Sequence, residues 1–155
     1  MNTSKVTWLC GLAIAVGFMG VSAPAHAGTK YQTNLVPVSA TGQPGFSASG
    51  SSIKIDRSPM TVSGKIKKVV DGTGALVTTD GVASADDYTV EVDRSCPATA
   101  GSDTVTVPVE LKNGNGKFTQ TAAALCGVAG DGVGIMAIRV KNAAGTVIGV
   151  GGVAE

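Results

Sequence analysis

Histidine and tryptophan each occur once in the 155-residue chain, at His26 and Trp8, and both lie within its first 27 residues. Those residues have the grammar of a secretory signal peptide. Lys5 precedes an apolar run over 6–21, and Ala25-His26-Ala27 supplies the small-x-small pattern that signal peptidase reads. The run is interrupted by Gly11, Gly17 and Gly20 and falls short of the ~20 strongly apolar residues of a spanning helix, so a membrane anchor fits it less well. Cleavage is therefore expected after Ala27, leaving a single domain over 28–155 without histidine. Ser-His-Asp and Cys-His nucleophilic catalysis cannot be assembled from it, and imidazole-bound zinc or copper is excluded as well.

Cysteine is scarce too. Of three, Cys10 lies inside the apolar run, and Cys96 and Cys126 remain. Two thiolates are too few for a cysteine-only zinc site, and in an oxidising compartment they are expected to pair as a structural disulfide. Closing a loop of that length contributes ~3–4 kcal/mol. Their spacing is unlike the C-x-x-C of a redox-active pair.

Charge is sparse and balanced, with 12 Lys+Arg against 11 Asp+Glu, and loss of Lys5 with the signal leaves the two signs equal. Read along the sequence, these charges are scattered, and scattered charge offers no basic footprint for nucleic acid. Aromatic residues make up 4%, too few for the two interfacial girdles of a membrane β-barrel or for the aromatic platforms of a sugar-cleaving site. Asp87, Glu91 and Asp93 alternate on one strand face, so a carboxylate pair exists in the inventory; the simpler reading is a solvated stripe. Ser63 and Lys65 form an S-x-K, but a Ser-Lys dyad needs a desolvated lysine, and this one sits on a polar stripe. The glycine-rich segment 127–134 lacks the following helix that a phosphate cradle requires and reads as a loop. Calcium is the one metal left, with Asp86, Asp87 and Asp131 as its candidates in loops, although no D-x-[DN]-x-[DN]-G loop is present. No cofactor is expected.

What the sequence has in quantity is glycine, 22 in all, and short runs of period-two alternation rich in Val, Thr and Ser. Nine strands are predicted, at 32–38, 46–55, 61–70, 75–79, 87–93, 104–111, 117–121, 134–141 and 146–153. Asn113-Gly114-Asn115-Gly116 predicts a hairpin before 117–121, and Asn142-Ala143-Ala144-Gly145 a second before the last strand. Ala122-Ala123-Ala124 could add one helical turn ahead of Cys126. The pattern fits a two-layer antiparallel β-sandwich of Ig-like or Greek-key type, with roughly 7–9 strands. Pro108, which has no N–H to give, predicts an edge position for 104–111. The lysines Lys65 and Lys67 stand opposite Val62, Ile66 and Val70, and charge complementarity with Glu91 and Asp93 predicts that strands 61–70 and 87–93 lie close in one sheet.

The stretch Leu35-Val36-Pro37-Val38-Ser39-Ala40-Thr41-Gly42 resembles the opening of CHRD-type extracellular β-domains, with their V-P-P-x-x-x-x-x-G pattern. Those domains carry a histidine-containing motif further on, which this chain lacks after processing. The composition is also similar to that of subunits of chaperone-assembled bacterial pili. Pilin subunits have an early cysteine pair and a tyrosine near the C-terminus, whereas here the pair falls late and the chain ends Gly-Gly-Val-Ala-Glu. The function expected is that of a bacterial protein, secreted or periplasmic, without enzymatic activity. Its partners would be a protein or an extracellular matrix or surface component, not nucleic acid, and the mature chain would have no transmembrane segment. The alternative is a structural subunit that forms a homo-oligomer through edge strands, with 28–38 as donor strand or the apolar run 147–153 as template.

Overall fold

The computed structural model describes residues 30–57, 60–96, 101–123, 125 and 133–152. The signal-peptide segment, Cys126, Asp131 and most of the glycine-rich stretch 127–134 lie outside the described residues. Eight strands are formed: β1 (Lys30–Pro37), β2 (Gly45–Arg57), β3 (Met60–Val70), β4 (Tyr88–Cys96), β5 (Gly101–Lys112), β6 (Asn115–Thr121), β7 (Gly134–Lys141) and β8 (Val147–Gly151). All pairings are antiparallel, and the strand order is β1-β2-β3-β6-β5-β4-β7-β8, closing back on β1.

This is a closed barrel and not the two-layer sandwich that the alternation predicted. The reason lies at two short seams. Lys30–Asn34 of β1 pairs with β2, after which Leu35, Val36 and Pro37 hand over to β8. On the far side β5 meets β6 at Glu110, Leu111 and Lys112 only. Each seam is three residue pairs long, and two four-stranded halves become one cylinder where a strand changes partner. Within it, β4, β5 and β6 run as consecutive neighbours and β7 returns beside β4, a Greek key.

The interior is filled by side chains from both halves. Ile53, Ile55, Val62 and Ile66 come from β2 and β3, and Val90, Val92, Val107 and Ile138 from β4, β5 and β7, all at 1% exposure or less. An eight-stranded barrel leaves room for little else. Most apolar strand side chains face inward, although Val36, Met136 and Val150 are exposed and the charged Arg94 is buried. Among the described residues, no helix is long and apolar enough to cross a membrane.

The β5–β6 hairpin forms as the sequence predicts. Asn113 and Gly114 both adopt positive φ, 49° and 71°, which is the two-residue turn that matches strand twist. In the β7–β8 turn the Asn142 carboxamide oxygen accepts from the amides of Ala144 and Thr146. The fourth predicted strand, 75–79, is instead a strap. It makes a single bridge, Val70 to Leu76, and then threads between β3 and the hairpin. The Val77 amide donates to the Val69 carbonyl and its carbonyl accepts from Gly114, while the Thr79 amide donates to Leu111. Alternation was present there, but the segment bonds to a different element on each side and never builds a ladder. No helical turn forms at Ala122 and Ala123, where β6 has ended, and Ala124 lies outside the described residues.

Pro108 is not on an edge strand. It stands opposite Thr89 in the β4–β5 ladder, on the stretch of β5 that has no pairs with β6, so its missing N–H costs no bond on that side. The predicted proximity of 61–70 and 87–93 is also overturned. β3 lies between β2 and β6, β4 between β5 and β7, and Glu91 and Asp93 find their cations on β7. Nor do β1 and β8 stand free: β1 is built into the barrel, and β8 is paired by both β7 and β1.

Candidate functional site

Closure of the barrel sorts the charges by face, which the linear sequence does not reveal. On β4 and β7 the charges neutralise one another. Arg139 reaches Glu91 at 3.4 Å and Asp93 at 2.8 Å, and Lys141 reaches Glu91 at 2.7 Å. The Asp93 hydrogen bond, followed by the Glu91 contact, holds the Arg139 guanidinium above its usual range. Arg94, almost fully buried, forms a two-pronged contact with Asp103 at 2.5 and 2.8 Å, and that hydrogen bonding lowers the Asp103 carboxyl. Two of the three carboxylates considered for glycoside cleavage therefore carry ion pairs. Glu91 and Asp93 are tied to cations, and Asp87 sits in the turn before β4.

The outer face of β2, β3 and β6 is different. Residues alternate in and out, so the register sets which outward side chains are neighbours. One transverse row reads Asn34, Ser52, Lys65, Lys117, and the next reads Gln32, Lys54, Ser63, Thr119. Lys67 follows Lys65 along β3, and Lys112 stands at the start of the β5–β6 turn. Five lysines thus share one face. Asp56 borders it beside Lys54, and Glu110 stands opposite Lys117 in the β5–β6 ladder. Among the described residues, none of the five lysines lies within ion-pair distance of a carboxylate; all four ion-pair contacts are elsewhere.

Two shallow depressions lie along this face. One of about 370 Å³ is bordered by Lys67, Lys112, Asn113, Asn115 and Lys117. The second, about 260 Å³, is bordered by Gln32, Ser52, Lys54, Ser63, Lys65 and Lys117. Lys117 belongs to both, so they form one track running diagonally from the hairpin toward β1.

Local irregularities build the upper end of the track. Between Ser47 and Ser52 the β2–β3 register shifts, and Ala48, Ser49 and Gly50 stand out in solvent with Gly50 at φ 80°. The buried Ser51 hydroxyl repairs the ladder: it donates to the Ser47 carbonyl at 2.6 Å and accepts from the Lys67 amide at 2.9 Å. Lys68 opposite has φ 52°, so the side-chain alternation of β3 slips there. Val69, rather than the Val70 expected from strict alternation, is the residue fully buried.

Lys65 and Lys117 are directly opposed, and Lys65 has Ser52 on its other side. Opposed like charges are destabilising. Lys65→Glu should therefore raise the unfolding free energy, by ~0.2–1 kcal/mol. Urea denaturation at low salt checks this, and a loss of stability would mean that the two amines do not face each other.

The other sequence candidates fare less well. Ser63 and Lys65 share the outer face, but Lys65 is exposed, which does not suit a general base. Asp86 and Asp87 belong to a turn in which Ser84 accepts from both amides, and no cluster of metal-ligating side chains is found among the described residues. Cys96 is buried at the end of β4 opposite Gly101; its expected partner Cys126 lies outside the described residues. The lysine face itself was missed. Its only trace in the sequence is the polar stripe of Lys65 and Lys67, because the other members join it through pairings distant in sequence.

Fold and face together define an eight-stranded Greek-key barrel with a lysine-rich outer face whose five amines form no ion pair among the described residues. Comparison of the chain with protein-family models, with curated proteins and with solved structures found no match.

Proposed function

We propose that the protein is an exported, non-enzymatic binding module, periplasmic or extracellular, that engages a protein, matrix or surface component through the outer face of β2, β3 and β6. The observation that carries this reading is the contrast between the two halves of the barrel. Charges on β4 and β7 are mutually satisfied, whereas the five lysines of the opposite face are not. Cationic side chains gathered on one rigid sheet, outnumbering the carboxylates at its margin and forming no ion pair among the described residues, attract an external anionic partner. A disulfide between Cys96 and Cys126 would secure the end of β4 against the segment leading to β7.

Polymerisation by strand addition is the competing role. It requires a free edge or a donor strand, and the pairing of β1 and β8 into the barrel argues against both. Sedimentation velocity on the full chain, expressed with export and purified after processing, separates the two. A single monomeric boundary, unchanged by calcium or chelator, is expected. Concentration-dependent polymers of the folded chain would replace the module by the structural subunit.

A further inference from the structure

The composition of the lysine face goes beyond the presence of positive charge. Along the two depressions the side chains between the amines are short and uncharged, Gln32, Ser52, Ser63, Asn115 and Thr119, and Glu110, opposite Lys117 on β5, is the carboxylate at their margin. No apolar side chain points outward in the two transverse rows that carry Lys54, Lys65 and Lys117. The described aromatics are turned elsewhere. Phe46, Tyr88 and Phe118 are buried, and Tyr31 packs against the core.

Each absence removes a class of anionic partner. Protein interfaces are centred on apolar and aromatic anchors, and this face offers none. Single-stranded nucleic acid is held by bases stacked on aromatic rings, and none is available here. A membrane surface is gripped most firmly when apolar side chains enter the headgroup layer, and here lysine and hydroxyl groups occupy those positions. What remains is a chain that is anionic, strongly hydrated and rich in hydroxyl groups.

Resting on the binding-module reading, we propose that the track from Lys112 through Lys67, Lys117 and Lys65 to Lys54 binds a linear acidic polysaccharide of the uronic-acid type. Its carboxylates meet the lysine amines, and its hydroxyl groups exchange hydrogen bonds with the intervening Ser, Thr, Asn and Gln side chains. The geometry suits an extended chain. Neighbouring strands lie ~4.8 Å apart, so successive amines along the diagonal are separated by distances of the order of a sugar ring. The shallow, open track places no end wall on the polymer, and an internal segment of a long chain can lie across it. Lys65 and Lys117, directly opposed across β3 and β6, repel one another, and a ligand that brings one carboxylate per sugar relieves that repulsion.

The test is calorimetric titration of the exported, processed protein with polygalacturonate oligomers, with the fully methyl-esterified oligomer as a neutral control of the same length. Binding to the free acid is expected, with affinity falling at least ~10-fold between 50 and 200 mM salt because counterion release drives it. No binding to the ester is expected. Lys54→Gln/Lys65→Glu/Lys117→Gln should weaken binding by at least ~10-fold, consistent with the loss of several charge contacts. Lys141→Gln, which removes one cation from the opposite half, should leave it unchanged.

Equal binding of acid and ester, retained binding in the triple variant, or equal loss in Lys141→Gln would overturn the proposal. So would tighter binding to a single-stranded oligonucleotide or to anionic phospholipid vesicles measured alongside. The companion sedimentation profile separates the two levels of failure. A monomer that ignores the oligomers refutes the polysaccharide and leaves the module standing, whereas self-assembly refutes both.

Discussion

Phe118→Ala should lower the unfolding free energy by about 3–5 kcal/mol, the range for truncating a buried phenylalanine. Phe118 is 5% exposed on β6 and lies directly across the ladder from Gly64 of β3, in the row Ile53, Gly64, Phe118. Gly64 leaves the space that the ring occupies. A Cβ there would overlap the Phe118 ring and the Ser52 carbonyl oxygen. Gly64→Ala should therefore cost about 1–3 kcal/mol by overpacking. Because both substitutions act on one packing contact, they should not add: with Phe118 already reduced to Leu, Gly64→Ala should cost clearly less than in the natural chain. Guanidinium denaturation of the four proteins measures this coupling. Strict additivity would mean that the ring does not sit over the glycine, and that β6 has been placed against β3 in the wrong register.

The second large effect concerns the Arg94–Asp103 pair between β4 and β5. The Arg94 side chain is 3% exposed and that of Asp103 43%. Asp103→Asn leaves a buried guanidinium without a counter-charge, and the expected loss is about 3 kcal/mol, at the low end for a broken buried pair because Asp103 is partly solvated. Arg94→Met should be milder, within about 1 kcal/mol of the natural chain, since it removes the buried charge together with its desolvation cost. Adding Asp103→Asn to Arg94→Met should then cost little further.

The pair also predicts a pH dependence. The Asp103 carboxyl is lowered chiefly by its hydrogen bond to Arg94, so its contribution to stability is present above the unfolded carboxylate range and is lost as pH falls through the folded value. Stability of the natural chain should decline below about pH 4. In Asp103→Asn that component of the decline should be missing. An Asp103→Asn protein as stable as the natural chain, with the same acid slope, would show that the contact is not formed in solution.

Much of the fold was legible because strand alternation is a local property. β7 is bounded as the spacing predicts, and the Asn113-Gly114 turn follows from two adjacent residues that tolerate positive φ. Closure was not legible. It depends on β1 changing partner after Asn34 and on three residue pairs between β5 and β6, and nothing in the alternation distinguishes these seams from the edges of two stacked sheets.

The charge argument failed for the same reason. Complementary stripes at Lys65 and Lys67 and at Glu91 and Asp93 invited a direct pairing, yet the Greek-key crossing puts β6 beside β3 and β7 beside β4. Glu91 and Asp93 are neutralised from Arg139 and Lys141, and Lys65 is left facing Lys117. Charges that look scattered along the sequence are regrouped by topology, which gathers Lys54, Lys65, Lys67, Lys112 and Lys117 on one face. Strand pairing distant in sequence decides the site, and composition alone is blind to it.

The central claim, that this segregated lysine face is where the protein engages an anionic partner, is tested most directly by amine footprinting. The exported protein is acetylated at trace reagent concentration with and without polygalacturonate, and the labelling of each lysine is read by peptide mass spectrometry. Protection at Lys54, Lys65, Lys67, Lys112 and Lys117, with Lys141 labelled as before, is the expected result. Uniform labelling at all lysines, or protection centred on Lys141, would contradict the account.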